Sequence, residues 1–347
     1  MTLTRKGPAI DFTNGRVDMT HGGGGRAMAQ LVEELFVAAF DNDMLRQRND
    51  QASFEVEAGR MVMTTDGYVI SPMFFPGGDI GSLAVHGTVN DVAMAGAVPI
   101  ALSASFIIEE GLPLADLKRI VQSMAAASKE AGVPIVTGDT KVVEKGKGDG
   151  LFISTTGIGR VPVGLDISGD KARAGDAILV SGTMGDHGVA VMSQRESLGF
   201  ETTLKSDSAA LHRLVAEMVA AVPSIHCLRD PTRGGLAATL NEVATQSGVG
   251  MMIYEAKIPV RPEVHGACEL RGLDPHYVAN EGKLIAICPA DQAEALLAVM
   301  RAHPLGADAA IIGEVIPDDH HFVQMETAFG GKRVVDWLAG EQLPRIC

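Results

Sequence analysis

Cysteine is scarce in this chain of 347 residues: four, at positions 227, 268, 288 and 347, with no Cys-x-x-Cys pair. That excludes a disulfide framework and the usual zinc spacings, and points to a reducing compartment, the cytosol. Cationic residues are also few. Lys and Arg number 29 against 43 Asp and Glu, a formal charge of −14. Such a surface cannot neutralise duplex phosphates and is repelled by anionic membranes. A phosphate ligand stays possible where divalent ions offset the carboxylates. Long apolar runs are missing as well. The longest uncharged stretch of the apolar region, Val92–Ile108, is broken by Gly96, Pro99, Ser103 and Ser105, and it falls short of the ~20 apolar residues of a membrane span. The opening MTLTRKGPAIDFTNGRVDM has no apolar signal core. Neither a Gly-X-Y period nor a short repeat occurs, which excludes collagen and solenoids.

What is abundant is glycine, 40 residues, within a chain that is 46% hydrophobic. Single cores stop growing near ~250–300 residues, so two packed domains are expected. Strand-like and helix-like patterns alternate, which argues an α/β or α+β fold. After an arm over 1–40, an N-terminal domain is expected over 41–165. It holds a strand at Arg60–Thr65, a helix at Gly81–Ala95, a buried strand at Ile100–Ile108, an amphipathic helix at Leu114–Ala131 and a short strand at Val133–Thr137. A polar stretch near 165–173 separates a second α/β domain, 166–330, from the first. A tail over 331–347 follows, with a last short helix expected at Val334–Leu338.

Several residues could carry chemistry. Gly22, Gly23, Gly24 and Gly25 precede a helix, an arrangement that suits a phosphate or a plain hinge; Arg26-Ala27 stands where a Walker loop has Lys-Ser/Thr. Asp66, Asp79, Asp91, Asp139 and Asp230 sit beside Gly, Asn, Thr or Pro at expected element ends. Singly each reads as a cap or turn residue; together they read as hard oxygen ligands for Mg²⁺ on nucleotide phosphates. Lys141 follows Asp139 by two residues and could neutralise a transferring phosphate or act as a base, or could simply be solvated. Glu281, in Asn280-Glu281-Gly282, is a second base candidate, or a turn residue. Cys347 closes the sequence on a Pro-bearing tail. The adjacent carboxylate disfavours its thiolate, so it suits a carrier loaded by an activated donor better than a nucleophile.

These motifs have a familiar order. Thr65-Asp66-Gly67, Val89-Asn90-Asp91, Gly138-Asp139-Thr140, Ser181-Gly182 with Gly185-Asp186-His187-Gly188, and Asp230-Pro231-Thr232-Arg233-Gly234-Gly235 resemble the aminoimidazole ribonucleotide synthetase, or PurM-like, ATP-binding superfamily. His21-Gly22-Gly23-Gly24-Gly25, Phe74-Phe75-Pro76-Gly77-Gly78-Asp79 and the final Pro344-Arg345-Ile346-Cys347 narrow the resemblance to its hydrogenase-maturation carbamoyl dehydratases, the HypE family. The resemblance implies a two-domain PurM-like fold with a flexible tail and a homodimer closed through N-terminal sheets. It implies ATP contacts at the glycine run, Thr65, Asp66, Asp79, Asn90, Asp91, Gly138, Asp139, Thr140 and Asp230, with Mg²⁺ on Asp66, Asp91, Asp139 and Asp230. It implies a carbamoyl group loaded onto Cys347 by the carbamoyltransferase HypF and dehydrated with ATP to a thiocyanate, with Lys141 or Glu281 as base. The cyanide then goes to iron on the HypC–HypD scaffold of [NiFe]-hydrogenase assembly. The alternative is another PurM-like enzyme acting on a free small molecule, as selenophosphate synthetase or thiamine-monophosphate kinase does.

Overall fold

The computed structural model describes residues 9–23, 25–47, 51–53, 55–195, 203–337 and 345–346. Gly24 and Cys347 lie outside the described residues.

The arm begins with a 3₁₀ turn, Met19–Gly22, closed by the Asp18 side chain. A continuous helical stretch follows: α1 (Arg26–Leu31), a π-turn over Val32–Val37 and α2 (Ala38–Phe40). Its apolar stripe buries Leu31, Leu35 and Phe36. Helix α3 (Asp43–Gln47) comes next.

The N-terminal domain then runs through β1 (Met61–Tyr68), a hairpin of β2 (Phe74–Phe75) and β3 (Gly78–Asp79), α4 (Ile80–Ala93), β4 (Val98–Glu109), α5 (Leu114–Ala131), β5 (Ile135–Val143) and β6 (Leu151–Arg160). Four of these strands form a sheet in the order β1-β6-β4-β5. Strands β4 and β5 are parallel and joined by α5; the other pairs are antiparallel. Helix α5 forms because Leu114, Leu117, Ile120, Val121 and Met124 recur at helical spacing and are all buried. It stops at Gly132, whose φ of 73° suits the left-handed C-cap. Helices α4 and α5 touch closely at Gly81, where a Cβ would lie 2.4 Å from the Ile120 carbonyl oxygen.

Strand β5 is longer than its apolar pattern predicts. It pairs with β4 as far as Val143↔Glu109, so Asp139 and Lys141 lie within a strand and not in a loop beyond one. Asp66 is likewise inside β1. The continued ladder gives these polar residues a fixed facing that a loop would not. Thr64, Asp66 and Tyr68 face α4. Met61, Met63, Thr65, Ser105, Ile107, Asp139 and Lys141 face the other way, onto an uncovered surface where Met63 is 74% exposed.

The C-terminal domain comprises β7 (Asp176–Val180), α6 (Asp186–Ser193), α7 (His212–Ala221), β8 (Cys227–Arg229), α8 (Gly235–Ser247), β9 (Gly250–Tyr254), α9 (Pro262–Arg271), β10 (Ile285–Pro289), α10 (Ala293–Ala302), β11 (Ala310–Ile316), β12 (Val323–Glu326) and β13 (Lys332–Val334). Its sheet has seven strands in the order β13-β12-β9-β11-β7-β10-β8, all antiparallel except β12 with β9. Leu214, Met218, Leu296 and Met300 of α7 and α10 cover one face. Leu236, Leu240 and Val243 of α8 cover the other. The helix expected at Val334–Leu338 is not formed over its described residues. A tight turn, in which Thr327 N–H donates to the Gly331 carbonyl and Gly330 takes φ 82°, returns the chain as an edge strand, and β13 pairs antiparallel with β12.

The two domains are packed together. Ala93 and Met94 share a core with Leu211, Val215 and Val219. The Asn90 amide donates to the Ala209 and Glu281 carbonyls at 3.0 Å each, and its oxygen accepts the Leu211 N–H at 2.7 Å. Among the described residues no helix is long and apolar enough to cross a membrane.

Candidate active site

A small cavity of about 30 Å³ lies at this domain junction, lined by Asp66, Tyr68, Asp91, Asp230, Arg233 and Glu281 among others. Each lining acid comes from a different element: Asp66 from β1, Asp91 from α4, Asp230 from the loop after β8 and Glu281 from the loop before β10. Asp91 accepts the Thr64 hydroxyl at 2.8 Å, and burial raises its carboxyl above the usual range. Burial, followed by the neighbouring Asp91, pushes Asp230 up to about 7. Burial and the carboxylates of Asp230, Asp207, Asp66 and Asp91 hold Glu281 well above the ordinary value. Glu281 is 3% exposed and its Oε1 has no hydrogen-bond partner. Four acids crowded around one cavity repel each other; Arg229 offsets part of this for Asp91 and Asp230, and protons or a cationic ligand would relieve the rest.

Glu281 is held there by backbone contacts. Its N–H donates to Asp207 Oδ1 at 3.0 Å. The next residue must be glycine, because a Cβ on Gly282 would stand 1.8 Å from the Asp207 carbonyl oxygen. The Asn280 side chain accepts the Gly185 N–H at 2.7 Å, joining this loop to the start of α6. Similarly, Gly87 leaves room for the Tyr68 hydroxyl, which a Cβ would approach to 2.3 Å.

Of the residues singled out in the sequence, Asp66, Asp91, Asp230 and Glu281 meet here. Asp139 and Lys141 do not. They pair with each other at 2.7 Å on the open face of the sheet. Asp66↔Thr155, Thr155↔Ala104 and Ala104↔Gly138 place Asp66 and Gly138 three strands apart, roughly 14 Å at the usual strand spacing. Thr65 is also on the open face, with its hydroxyl donating to the Thr155 carbonyl. Asp79 caps α4, accepting the Gly81 and Ser82 N–H groups. Thr140 is buried and points into a second, apolar cavity of about 130 Å³, walled by Met28, Val32, Phe36 and Phe106. Gly22 lies against β5, where a Cβ would come 2.6 Å from the Val142 nitrogen; Gly25 caps α1. Among the described residues no three His, Cys, Asp or Glu side chains converge closely enough to ligate an ion by themselves.

The chain's end reaches the same junction. Ile346 is 4% exposed, in one core with Phe75, Val191 and Ala279, and Ala279 is two residues before Glu281. The Ile346 carbonyl accepts from His187 Nε2 at 2.8 Å. The Arg345 carbonyl accepts the Ser71 N–H at 3.1 Å and Arg195 Nη2 at 3.0 Å, and the Arg345 guanidinium pairs with Asp149.

Two family models match the chain: the AIR synthase related protein N-terminal domain over residues 48–161 and its C-terminal domain over 173–326. A carbamoyl dehydratase HypE of Cupriavidus necator is 71% identical over 339 residues, covering 97% of each chain. The chain belongs to the HypE family of carbamoyl dehydratases. The HypE of Escherichia coli is 47% identical over 95% of this chain and 99% of its own. A crystal structure titled hydrogenase maturation protein HypE in complex with ATP superposes with a TM-score of 0.91 at 54% identity, covering 95% of this chain and 99% of that one. This carbamoyl dehydratase is therefore a hydrogenase-maturation enzyme with the two-domain AIR synthase fold. A thiamine-monophosphate kinase from Stenotrophomonas maltophilia, 19% identical with a TM-score of 0.63, shares the fold alone.

Sequence reasoning missed Tyr68, Thr64, Asp207 and Ser206, and gave His187 no role. A polar run such as Ser206-Asp207-Ser208 reads as a surface loop, and only its packing against Glu281 and His187 reveals otherwise.

Proposed function

We propose that this carbamoyl dehydratase acts on a carbamoyl group carried by its own Cys347, using ATP to convert the S-carbamoyl group to a thiocyanate. The observation that carries this reading is the burial of Ile346, which ties the residue before Cys347 into the core that also holds Ala279, two residues before Glu281. In the reaction the carbamoyl oxygen takes the γ-phosphoryl group of ATP. Its C–O bond then breaks, phosphate leaves with the electron pair, and both nitrogen protons are lost to leave S–C≡N with ADP and phosphate. Glu281, held well above the ordinary carboxylate range, is a stronger proton acceptor than an ordinary glutamate once ionised. It is the base candidate that lies in the cavity. Lys141, on the open face of the sheet and paired with Asp139, is the other candidate.

The crowded, partly protonated acids fit a magnesium ion shared between protein and phosphate. Asp66, Asp91 and Asp230 are the residues that would hold it, together with water and phosphate oxygens. When bound, the ion would neutralise the phosphate charge. We further propose a homodimer through the face bearing Met61, Met63 and Ile107, since large exposed apolar patches mark interfaces. Met63→Glu is expected to shift the protein toward monomer in sedimentation; an unchanged oligomer would remove this face from the interface. A structure titled HypE–HypF complex, whose matching chain is 51% identical with a TM-score of 0.78, supports a HypF carbamoyltransferase as the loading partner. The family resemblance supports delivery of the cyanide to a HypC–HypD scaffold in the cytoplasm.

Intact-protein mass spectrometry tests the reaction. Incubation with the carbamoyl donor system should add one isocyanic acid to Cys347, and ATP should then remove one water. Glu281→Gln and Lys141→Ala are each expected to stop at the carbamoylated mass if that residue is the base. Absence of any adduct on Cys347 would overturn the carrier reading.

A further inference from the structure

His187 lies where the end of the chain meets the C-terminal domain. It is the second residue of α6 and fully buried. Both ring nitrogens are engaged: Nδ1 lies 2.8 Å from Ser206 Oγ, and Nε2 lies 2.8 Å from the Ile346 carbonyl oxygen. The Phe75 ring meets the imidazole edge-on at 5.5 Å between centroids. Ser206 Oγ already accepts the Ser208 N–H at 3.1 Å, so its own hydrogen is available to Nδ1. Burial holds His187 below the ordinary imidazole range, so the ring carries a single N–H. A carbonyl oxygen can only accept, which puts that hydrogen on Nε2 and leaves Nδ1 to accept from Ser206. The carbonyl thus fixes the tautomer, and the serine hydroxyl supports it by donating to Nδ1.

We infer that His187, oriented by Ser206, is a positioning residue for the dehydration: it latches the Ile346 carbonyl and so fixes the residue that carries the substrate. The inference rests on Cys347 being the carrier, because Cys347 is bonded directly to the carbonyl that His187 holds. Reacting groups must be aligned to well within an ångström for an intramolecular step to keep its advantage. A two-residue anchor with one buried side chain and one buried hydrogen bond supplies that alignment. Without Ser206 the Nδ1 lone pair loses its donor and the ring loses one of its two anchors, so the carbonyl is held less firmly.

The test uses the full-length protein with two readouts. One is the rate of iodoacetamide alkylation of Cys347, read by peptide mass spectrometry. The other is single-turnover conversion of carbamoylated protein to the cyanated form with ATP. For His187→Ala, alkylation is expected to rise about tenfold and conversion to fall about tenfold, the scale of one buried hydrogen bond. His187→Gln, whose amide N–H can reach the same carbonyl, should recover most of both. Ser206→Ala should move both in the direction of His187→Ala. If His187→Ala does not fold, the contrast between Gln and the serine variant decides. Unchanged alkylation in folded His187→Ala, or a glutamine variant no better than alanine, overturns the latch. If the unmodified protein never accepts a carbamoyl group, the carrier reading falls while the alkylation arm still decides whether His187 holds the tail.

Discussion

Replacing Cys347 by alanine is expected to abolish formation of cyanated protein while leaving ATP affinity within about twofold of the parent. The proposed nucleotide pocket is lined by Asp66, Asp91, Asp230 and their neighbours, none of which is on the tail. On the carrier reading, removing the sulfur removes the handle and leaves the proposed ATP site intact. Cys347→Ser is the sharper control, since it keeps the shape and loses the thiol. The background is low: Cys227, Cys268 and Cys288 are buried, and burial pushes their thiols up to about 11, 11 and 12. Turnover that persists in Cys347→Ala would mean the enzyme acts on a free small molecule.

Asp230→Asn is expected to do two opposite things. Nucleotide affinity should fall roughly a hundredfold, as when one member of a buried charge pair is removed. Stability of the ligand-free protein should rise. The folded protein retains the Asp230 proton up to about 7, whereas an ordinary aspartate releases it near 3.8. Between those values the folded state binds more protons than the unfolded one, so stability declines as pH rises and then levels off. At 1.36 kcal/mol per pH unit the full cost is at most about 4 kcal/mol. Asparagine cannot ionise and avoids it. The melting temperature of Asp230→Asn should exceed that of the parent by a few degrees at pH 8, and the difference should close toward pH 4. Equal melting temperatures at both pH values would show that burial and Asp91 do not hold the Asp230 proton, and unchanged ATP affinity would remove it from the site. The pairing of lost function with gained stability is expected wherever like charges are gathered for a ligand.

Much of this architecture can be read from residue order. The stripe from Leu114 to Met124 and the glycine at 132 are enough to place α5, and three of the five acidic residues flanked by small or turn-forming ones, Asp66, Asp91 and Asp230, converge. What could not be read is facing. Asp139 and Lys141 look like a loop at a strand end because the apolar run stops at Thr137. Yet β5 continues to Val143, since pairing with β4 satisfies its backbone irrespective of side-chain polarity. The extra residues fix these two side chains on the opposite face from Asp66. The edge strand at Lys332–Val334 was obscured in the same way, because three residues are too few to show a period. Contacts between the last residues and position 187 have no local signature at all; they depend on how the two domains come together.

The seated tail also sets the terms on which any outside enzyme can use it. On the proposed carrier role, a carbamoyltransferase would take hold of Cys347 from solution, and it would meet a usable end only in molecules where Arg345 and Ile346 have left Ser71, Asp149 and His187. Its apparent affinity is its intrinsic affinity discounted by that released fraction, tenfold for about every 1.4 kcal/mol of seating strength. The contacts that favour the chemistry at home thereby throttle loading from abroad, so the natural sequence must hold the tail firmly enough to react and loosely enough to be handed over.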